Sequence, residues 1–284
     1  MKVIRARALG YCMGVRRAVR IAEAEVGKKV YTLGPLIHNP QVLEDLRQQG
    51  IQTLETAKTS ANLREAVVII RAHGVTPRQE RQLAEQGARL VDATCPRVKA
   101  SQMKAKALAE SGYAVFLAGE KCHGELIGIQ GYAPDCLLVE DAGEAETSAA
   151  ALHTNAPASK TALIGQTTLS ADEYGLIAQA IRCYFPDLEV IDTICGATRD
   201  RQNALKELCQ CVDAIIVAGG RDSANTQRLL AIAQAAGKAA WLVESAAELP
   251  DALAAYSSVG LSAGASTPDK VIDEIEQALQ QLQA

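Results

Sequence analysis

Residues 88–101 read ARLVDATCPRVKAS: an aliphatic run, then Thr94-Cys95-Pro96, then a basic helical pattern that starts without a linker. The same order occurs twice more. Residues 3–19, VIRARALGYCMGVRRAV, set Cys12 near Gly14 between two such patterns, and residues 188–202, LEVIDTICGATRDRQ, set Cys195 beside Gly196. One strand–cysteine–helix step per third of the chain predicts three similar βα units. Each would present a thiol from the carboxyl end of a strand, where open α/β sheets carry their sites.

The rest of the chain fits that frame. Strands are predicted at Lys2–Ala6, Lys29–Thr32, Ala66–Arg71, Arg89–Asp92, Ala114–Ala118, Leu137–Val139, Ala162–Ile164, Leu188–Asp192, Ala214–Ala218, Ala240–Val243 and Val259–Ser262. Helices are predicted over Ser101–Glu110 and Thr226–Ala236, the latter from Leu229, Leu230, Ile232 and Ala233 at helical spacing. Strands alternating with helices give an α/β fold with parallel sheets covered on both faces. So many strands exceed a comfortable single sheet. The expected division is therefore three α/β domains: 13–95, 96–194, and 195–284 together with 1–12. Asp141–Pro157, rich in Ala, Glu, Thr and Ser, reads as a surface loop with a short helix.

Composition narrows the function. Of 284 residues, 48% are hydrophobic but only 4% aromatic, so the core is aliphatic. The net charge of −4 and the scarcity of stacking rings argue against nucleic-acid binding. No apolar run approaches the about 18 residues of a membrane span. The start, MKVIRARALG, lacks the apolar core of a secretory leader. A soluble, cytoplasmic protein is expected.

The eight cysteines do not suit a disulfide framework in such a chain. Taken alone, any one of them reads as buried filler rather than as a ligand. Three in one context, each at the positive end of a helix dipole that suits an anionic ligand, point equally to a shared metal site. Without a CxxC pair they fit zinc poorly. A cubane iron–sulfur cluster with one iron left open fits better, since clusters that only carry electrons usually take four thiolates. Cys136, Cys183, Cys209 and Cys211 lie in apolar patterns and read as core. Cys122 adjoins a motif histidine and could line a site without being a ligand.

Three of the four histidines follow predicted strands in Gly-containing loops: His38 in GPLIHNP, His73 in RAHGV and His123 in GEKCHGE. His153 reads as solvated. Singly, each is an ordinary imidazole; together they can donate hydrogen bonds to an anion. The loops Gly165–Ser170, Gly219–Thr226 and Ser262–Pro268 place hydroxyls, amides and backbone N–H groups before helices, which serves helix capping or anion binding. With the histidines they suggest a small phosphate-bearing ligand. No nucleotide-binding fingerprint accompanies them. Glu125, the acid in the His123 loop, reads equally as an exposed helix-start residue or as a proton relay beside a metal.

Taken in order, Cys12 in GYCMGV, His38 in IHNP, His73 in AHGV, Cys95 in DATCP, Thr167 in QTTLS, Cys195 in DTICGAT and Ser266 in SAGAS resemble the motifs of the IspH/LytB family of 4-hydroxy-3-methylbut-2-enyl diphosphate reductases, over essentially the whole chain. The resemblance implies a trefoil of three α/β domains around a central 4Fe-4S cluster held by Cys12, Cys95 and Cys195. It implies reductive removal of the substrate's allylic hydroxyl, giving isopentenyl and dimethylallyl diphosphates in the methylerythritol phosphate route. His38, His73, His123, Ser223, Asn225 and Ser266 would hold the diphosphate. Glu125 would deliver protons and Thr167 would orient the hydroxyl. The open iron would supply Lewis acidity and electrons, drawn from a ferredoxin or flavodoxin, in a protein expected to be a monomer. The chain departs from the family pattern at Ala224, Gly124 and Gln102, where Ser, Pro and His are usual. Two alternatives stay open: a cluster paralogue that reduces another small substrate, and a non-enzymatic iron–sulfur redox sensor.

Overall fold

The structure, a computed structural model, describes residues 1–55, 57 and 61–282. In chain order the strands are β1 (Lys2–Arg5), β2 (Val30–Leu33), β3 (Ile51–Leu54), β4 (Val67–Ile70), β5 (Arg89–Asp92), β6 (Ala114–Ala118), β7 (Leu137–Val139), β8 (Thr161–Gly165), β9 (Glu189–Val190), β10 (Ala214–Ala218), β11 (Ala239–Val243) and β12 (Ser258–Ala263). The helices are α1 (Met13–Glu23), α2 (Pro40–Gln48), α3 (Pro77–Glu85), α4 (Pro96–Glu110), α5 (Gly124–Gln130), α6 (Ala142–Asn155), α7 (Ala171–Arg182), α8 (Gly196–Cys209), α9 (Ala224–Ala235) and α10 (Asp269–Gln281). None of the described helices is long and apolar enough to cross a membrane.

The described strands form three four-stranded sheets, in the orders β3-β2-β4-β5, β7-β6-β8-β9 and β11-β10-β12-β1. Every pairing is parallel. The α/β class and the three repeated units hold. Numbering the strands of each sheet by their chain order, with β1 as the fourth strand of the last sheet, gives one order throughout: second, first, third, fourth. The first strand leads to a neighbour on one side and the third to a neighbour on the other. The loops that leave these two adjacent strands therefore diverge, opening a crevice at the carboxyl edge of each sheet.

The chain divides into two compact units. One comprises Met1–Arg16, Ile37–Leu46 and Gly196–Ala284 and holds the sheet of β10, β11, β12 and β1. Ile216, Leu261 and Val259 face Val271, Ile272, Ile275 and Leu279 of α10. On the opposite face Ile215 and Val217 pack on Leu205 and Leu208 of α8 and Leu229 of α9. Alternation along the strands thus buries the sheet from both sides. Gly260 permits the close fit of α8, because a Cβ there would stand 2.8 Å from Leu208.

The second unit, Arg17–Leu36 with Arg47–Cys195, holds the other two sheets. Val68 and Ile70 of β4 pack with Leu83 of α3. Phe116 of β6 faces Ile177 and Ile181 of α7, while Val115 and Leu117 face Leu126 and Ile129 of α5 and Leu108 of α4.

Four expectations are corrected. β3 was not anticipated: its pattern Ile51-Gln52-Thr53-Leu54 exposes both middle residues at a sheet edge, so it carries no alternation. Residues 141–157 are chiefly a helix, α6, capped by Asp141, whose carboxylate accepts the Glu144 N–H. The buried positions of α6 are Ala145 and Ala149, too small to print a strong apolar stripe. Cys183 and Cys211 are exposed and not core, since each lies just past the end of a helix. Cys209 is buried and Cys136 half-buried, with burial pushing the Cys136 thiol up to about 11.

Candidate functional site

The site residues singled out above fall in the loops after the first, third and fourth strands of the three sheets or, for Glu125 and Asn225, in the first turn of the helix that follows. In the first sheet these connections carry His38, His73 and Cys95; in the second His123 with Glu125, Thr167 and Cys195; in the third Ser223 with Asn225, Ser266 and Cys12.

A single backbone bond recurs at each cysteine. The Cys95 N–H donates to Ala72 O at 2.9 Å, the Cys195 N–H to Thr167 O at 3.0 Å and the Cys12 N–H to Ala265 O at 3.1 Å. In each case the acceptor lies in the loop after the third strand of the same sheet. Each thiol immediately precedes a helix: Cys12 before α1, Cys95 as the N-cap of α4 with Pro96 next, and Cys195 before α8. None of the three is in a disulfide, and all are half-buried. Cys12 Sγ accepts the Val15 N–H at 3.4 Å, as a sulfur ligand at a helix start would. Three unoxidised, reachable sulfurs at helix N-termini suit iron, which takes thiolate donors supported by backbone N–H groups. Cys122 is exposed.

In the second unit, β4 is buried along its whole length and ends at Arg71-Ala72-His73-Gly74. Gly74, at φ +73°, turns the chain there. The His73 and His123 rings meet edge-on, with centroids 5.1 Å apart. His123 is the N-cap of α5, and its Nδ1 accepts the Glu125 N–H at 3.2 Å. Glu125 is 1% exposed, which removes the solvated helix-start reading. Its carboxylate accepts the Thr167 N–H at 2.7 Å and the Thr167 Oγ1 hydroxyl at 2.9 Å. A continuous path therefore runs from the His123 ring through Glu125 and Thr167 to the Cys195 backbone.

Two residues of this unit went unnoticed as parts of the site. Gln166, fully buried, accepts the Glu120 N–H at 2.9 Å and donates to Thr168 Oγ1 at 2.9 Å, tying the loops after β6 and β8. Arg71 lies along the His73 turn and donates from Nε to Gly74 O at 3.4 Å. The signals are an amide directly after an aliphatic strand and glycines at 34 and 124 that face the Arg71 side chain. Gln102 is 1% exposed and among the described residues its amide has no hydrogen-bond partner; a Cβ on Gly74 would stand 2.4 Å from its Nε2.

In the first unit, Ser266 Oγ donates to His38 O at 2.9 Å. Gly220 lies against the same carbonyl: a Cβ there would come within 2.6 Å of it. The loops after β10 and β12 thereby fix the backbone that carries His38. Ser223 caps α9 and accepts the Thr226 N–H at 3.4 Å. Asn225 is 4% exposed, and among the described residues neither atom of its amide has a hydrogen-bond partner. A buried amide without partners is costly to the fold, and a polar ligand at this loop would relieve the cost.

The family described as LytB protein matches residues 3–280. A Treponema denticola protein named 4-hydroxy-3-methylbut-2-enyl diphosphate reductase is 48% identical, with 98% of this chain and 99% of that protein covered. A protein of the same name from Aquifex aeolicus is 37% identical over 99% of this chain and 96% of its own length. The solved structure of the E-1-hydroxy-2-methyl-but-2-enyl-4-diphosphate reductase from Plasmodium falciparum superposes with a TM-score of 0.89 at 27% identity, covering 97% of this chain and 87% of that one. A second solved structure, described as (E)-4-hydroxy-3-methyl-but-2-enyl diphosphate reductase, gives a TM-score of 0.69 at 36% identity, covering 99% of this chain and 100% of that one. The matched stretch contains the three cysteines, the loop histidines and the Glu125–Thr167 pair, and the chain belongs to the LytB family.

Proposed function

We propose that this protein is a cytoplasmic 4-hydroxy-3-methylbut-2-enyl diphosphate reductase whose Cys12, Cys95 and Cys195 hold a 4Fe-4S cluster. The observation that carries the reading is the threefold backbone bond, which gives each thiol the same anchorage in its own sheet. The substrate's C–O bond to the allylic hydroxyl breaks, two electrons and two protons are taken up, and water leaves. The products are isopentenyl and dimethylallyl diphosphates. When bound, the cluster supplies the electrons, received from a ferredoxin or flavodoxin, and a Lewis-acidic metal.

The chain's own residues do the rest. His38, His73 and His123 donate hydrogen bonds to the diphosphate, with the Ser223 and Ser266 hydroxyls and the Asn225 amide as further donors. Thr167 Oγ1, held by the Glu125 carboxylate, orients the substrate hydroxyl. Glu125, shielded from bulk water, holds the proton destined for the departing oxygen.

Anaerobic reconstitution, iron and sulfide analysis, and a substrate-consumption assay with a low-potential donor test this together. A brown protein with about four irons per chain that consumes the allylic diphosphate is expected. A colourless, iron-free preparation refutes the cluster, and a loaded protein that leaves the substrate untouched refutes the reaction.

A further inference from the structure

Arg71 leaves the end of β4 and runs between two glycines of its own unit. A Cβ on Gly34 would stand 2.6 Å from Nη1, and one on Gly124 would stand 2.6 Å from Nη2 and 2.9 Å from Cζ. A Cβ at either position would push the guanidinium from where it lies, and Gly34, at φ +71°, is held to glycine by its backbone as well. That fork has five N–H donors. Among the described residues its one hydrogen bond is the 3.4 Å contact from Nε to Gly74 O, longer than a well-formed bond. Among the described residues no carboxylate pairs with it: Glu125 is turned to Thr167, and Arg71 keeps its charge alone. Burial by itself lowers the Arg71 pKa from its usual value, with no acid to offset the desolvation.

A partly desolvated cation with idle donors is a poor element of a fold and a good element of an anion site. Its position says which anion. Arg71 shares the turn of His73 and touches the residue after His123, and those two imidazoles lie edge-on at 5.1 Å. We propose that Arg71 is a substrate-binding residue, the fixed positive charge of the diphosphate pocket, and that Gly124 is a glycine because it admits the guanidinium. The inference rests on the function proposed above, since it takes the anion to be the diphosphate of the same substrate. The planar fork suits two phosphate oxygens at once, which a lysine cannot match.

The test is calorimetric titration of inorganic pyrophosphate into the cluster-loaded protein, for wild type, Arg71→Lys, Arg71→Met and Gly124→Ala. The uncharged diol that lacks the diphosphate serves as the control ligand. Arg71→Met is expected to weaken pyrophosphate binding by roughly tenfold or more, the worth of one charge-assisted hydrogen bond. Arg71→Lys should recover part of that loss, and Gly124→Ala should behave like Arg71→Met. The visible spectrum and the affinity for the diol should stay within twofold, and KM for the diphosphate substrate should rise more than kcat falls.

Pyrophosphate affinity within twofold of wild type in Arg71→Met overturns the proposal. So does an equal loss of pyrophosphate and diol binding, which would make Arg71 a tie between loops. A wild-type protein with no measurable pyrophosphate binding overturns it as well. If pyrophosphate binding depends on Arg71 while the allylic diphosphate is not reduced, the reaction assigned above fails and the anion site stands.

Discussion

Glu125 shows how much one carboxylate depends on a distant partner. It sits in the first turn of α5, yet both its oxygens are engaged by Thr167, in the loop after β8. Glu125→Gln keeps the shape and removes the proton-transfer role proposed for the carboxyl. Turnover should fall by about 100-fold or more, the usual worth of a general acid, with iron content and visible spectrum unchanged. Steady-state kinetics beside an absorption spectrum check it; a variant with half the wild-type turnover would end the proton role. Asp92, at the end of β5, makes a separate claim. Burial would raise its carboxyl, but hydrogen bonds from Thr94 and the charge of Lys99, 3.3 Å away, outweigh that and hold it below the ordinary range. A folded pKa below the unfolded value of about 3.9 means that the stabilisation is complete above that value and is lost as pH falls through the folded one. Asp92→Asn should therefore lower stability near neutrality and flatten the acid limb of a pH–stability curve measured by urea unfolding.

At the scale of elements, two serines cap helices in different company. Ser170 and Glu173 form a reciprocal capping box on α7, exposed and remote in role from the loop hydroxyls. Ser223 caps α9 and is also proposed to hold the diphosphate. Ser170→Ala and Ser223→Ala should each cost about 1 kcal/mol of stability. Only Ser223→Ala should also raise KM, so melting curves set beside kinetics separate capping from binding. Most strands were legible because buried parallel strands print as unbroken aliphatic runs, as Val67-Val68-Ile69-Ile70 does. β3 and α6 were not. An edge strand with exposed middle residues and a helix packed through alanines leave too little apolar signal for periodicity to find.

The cysteines are a property of the whole molecule, since the three proposed ligands lie in different sheets. Cys12→Ser, Cys95→Ser and Cys195→Ser should each lower bound iron and abolish substrate consumption. Cys183→Ser and Cys211→Ser, which alter exposed thiols beyond helix ends, should leave both unchanged. Iron analysis with a consumption assay on the five variants decides it. Equal iron in Cys95→Ser and wild type would remove that residue from the ligand set.

Taken alone, the sequence determined the α/β class, the threefold recurrence and the ordered motifs, because strand–cysteine–helix steps and aliphatic runs are local patterns that survive in one dimension. It could not choose between an exposed and a buried Glu125, or find Arg71 and Gln166. Those outcomes depend on which loops the shared strand order places side by side. Only the tertiary structure sets Thr167 against Glu125 and clears two glycines for a guanidinium. Burial and pairing are relations between residues far apart in the chain, and no window of sequence contains both partners.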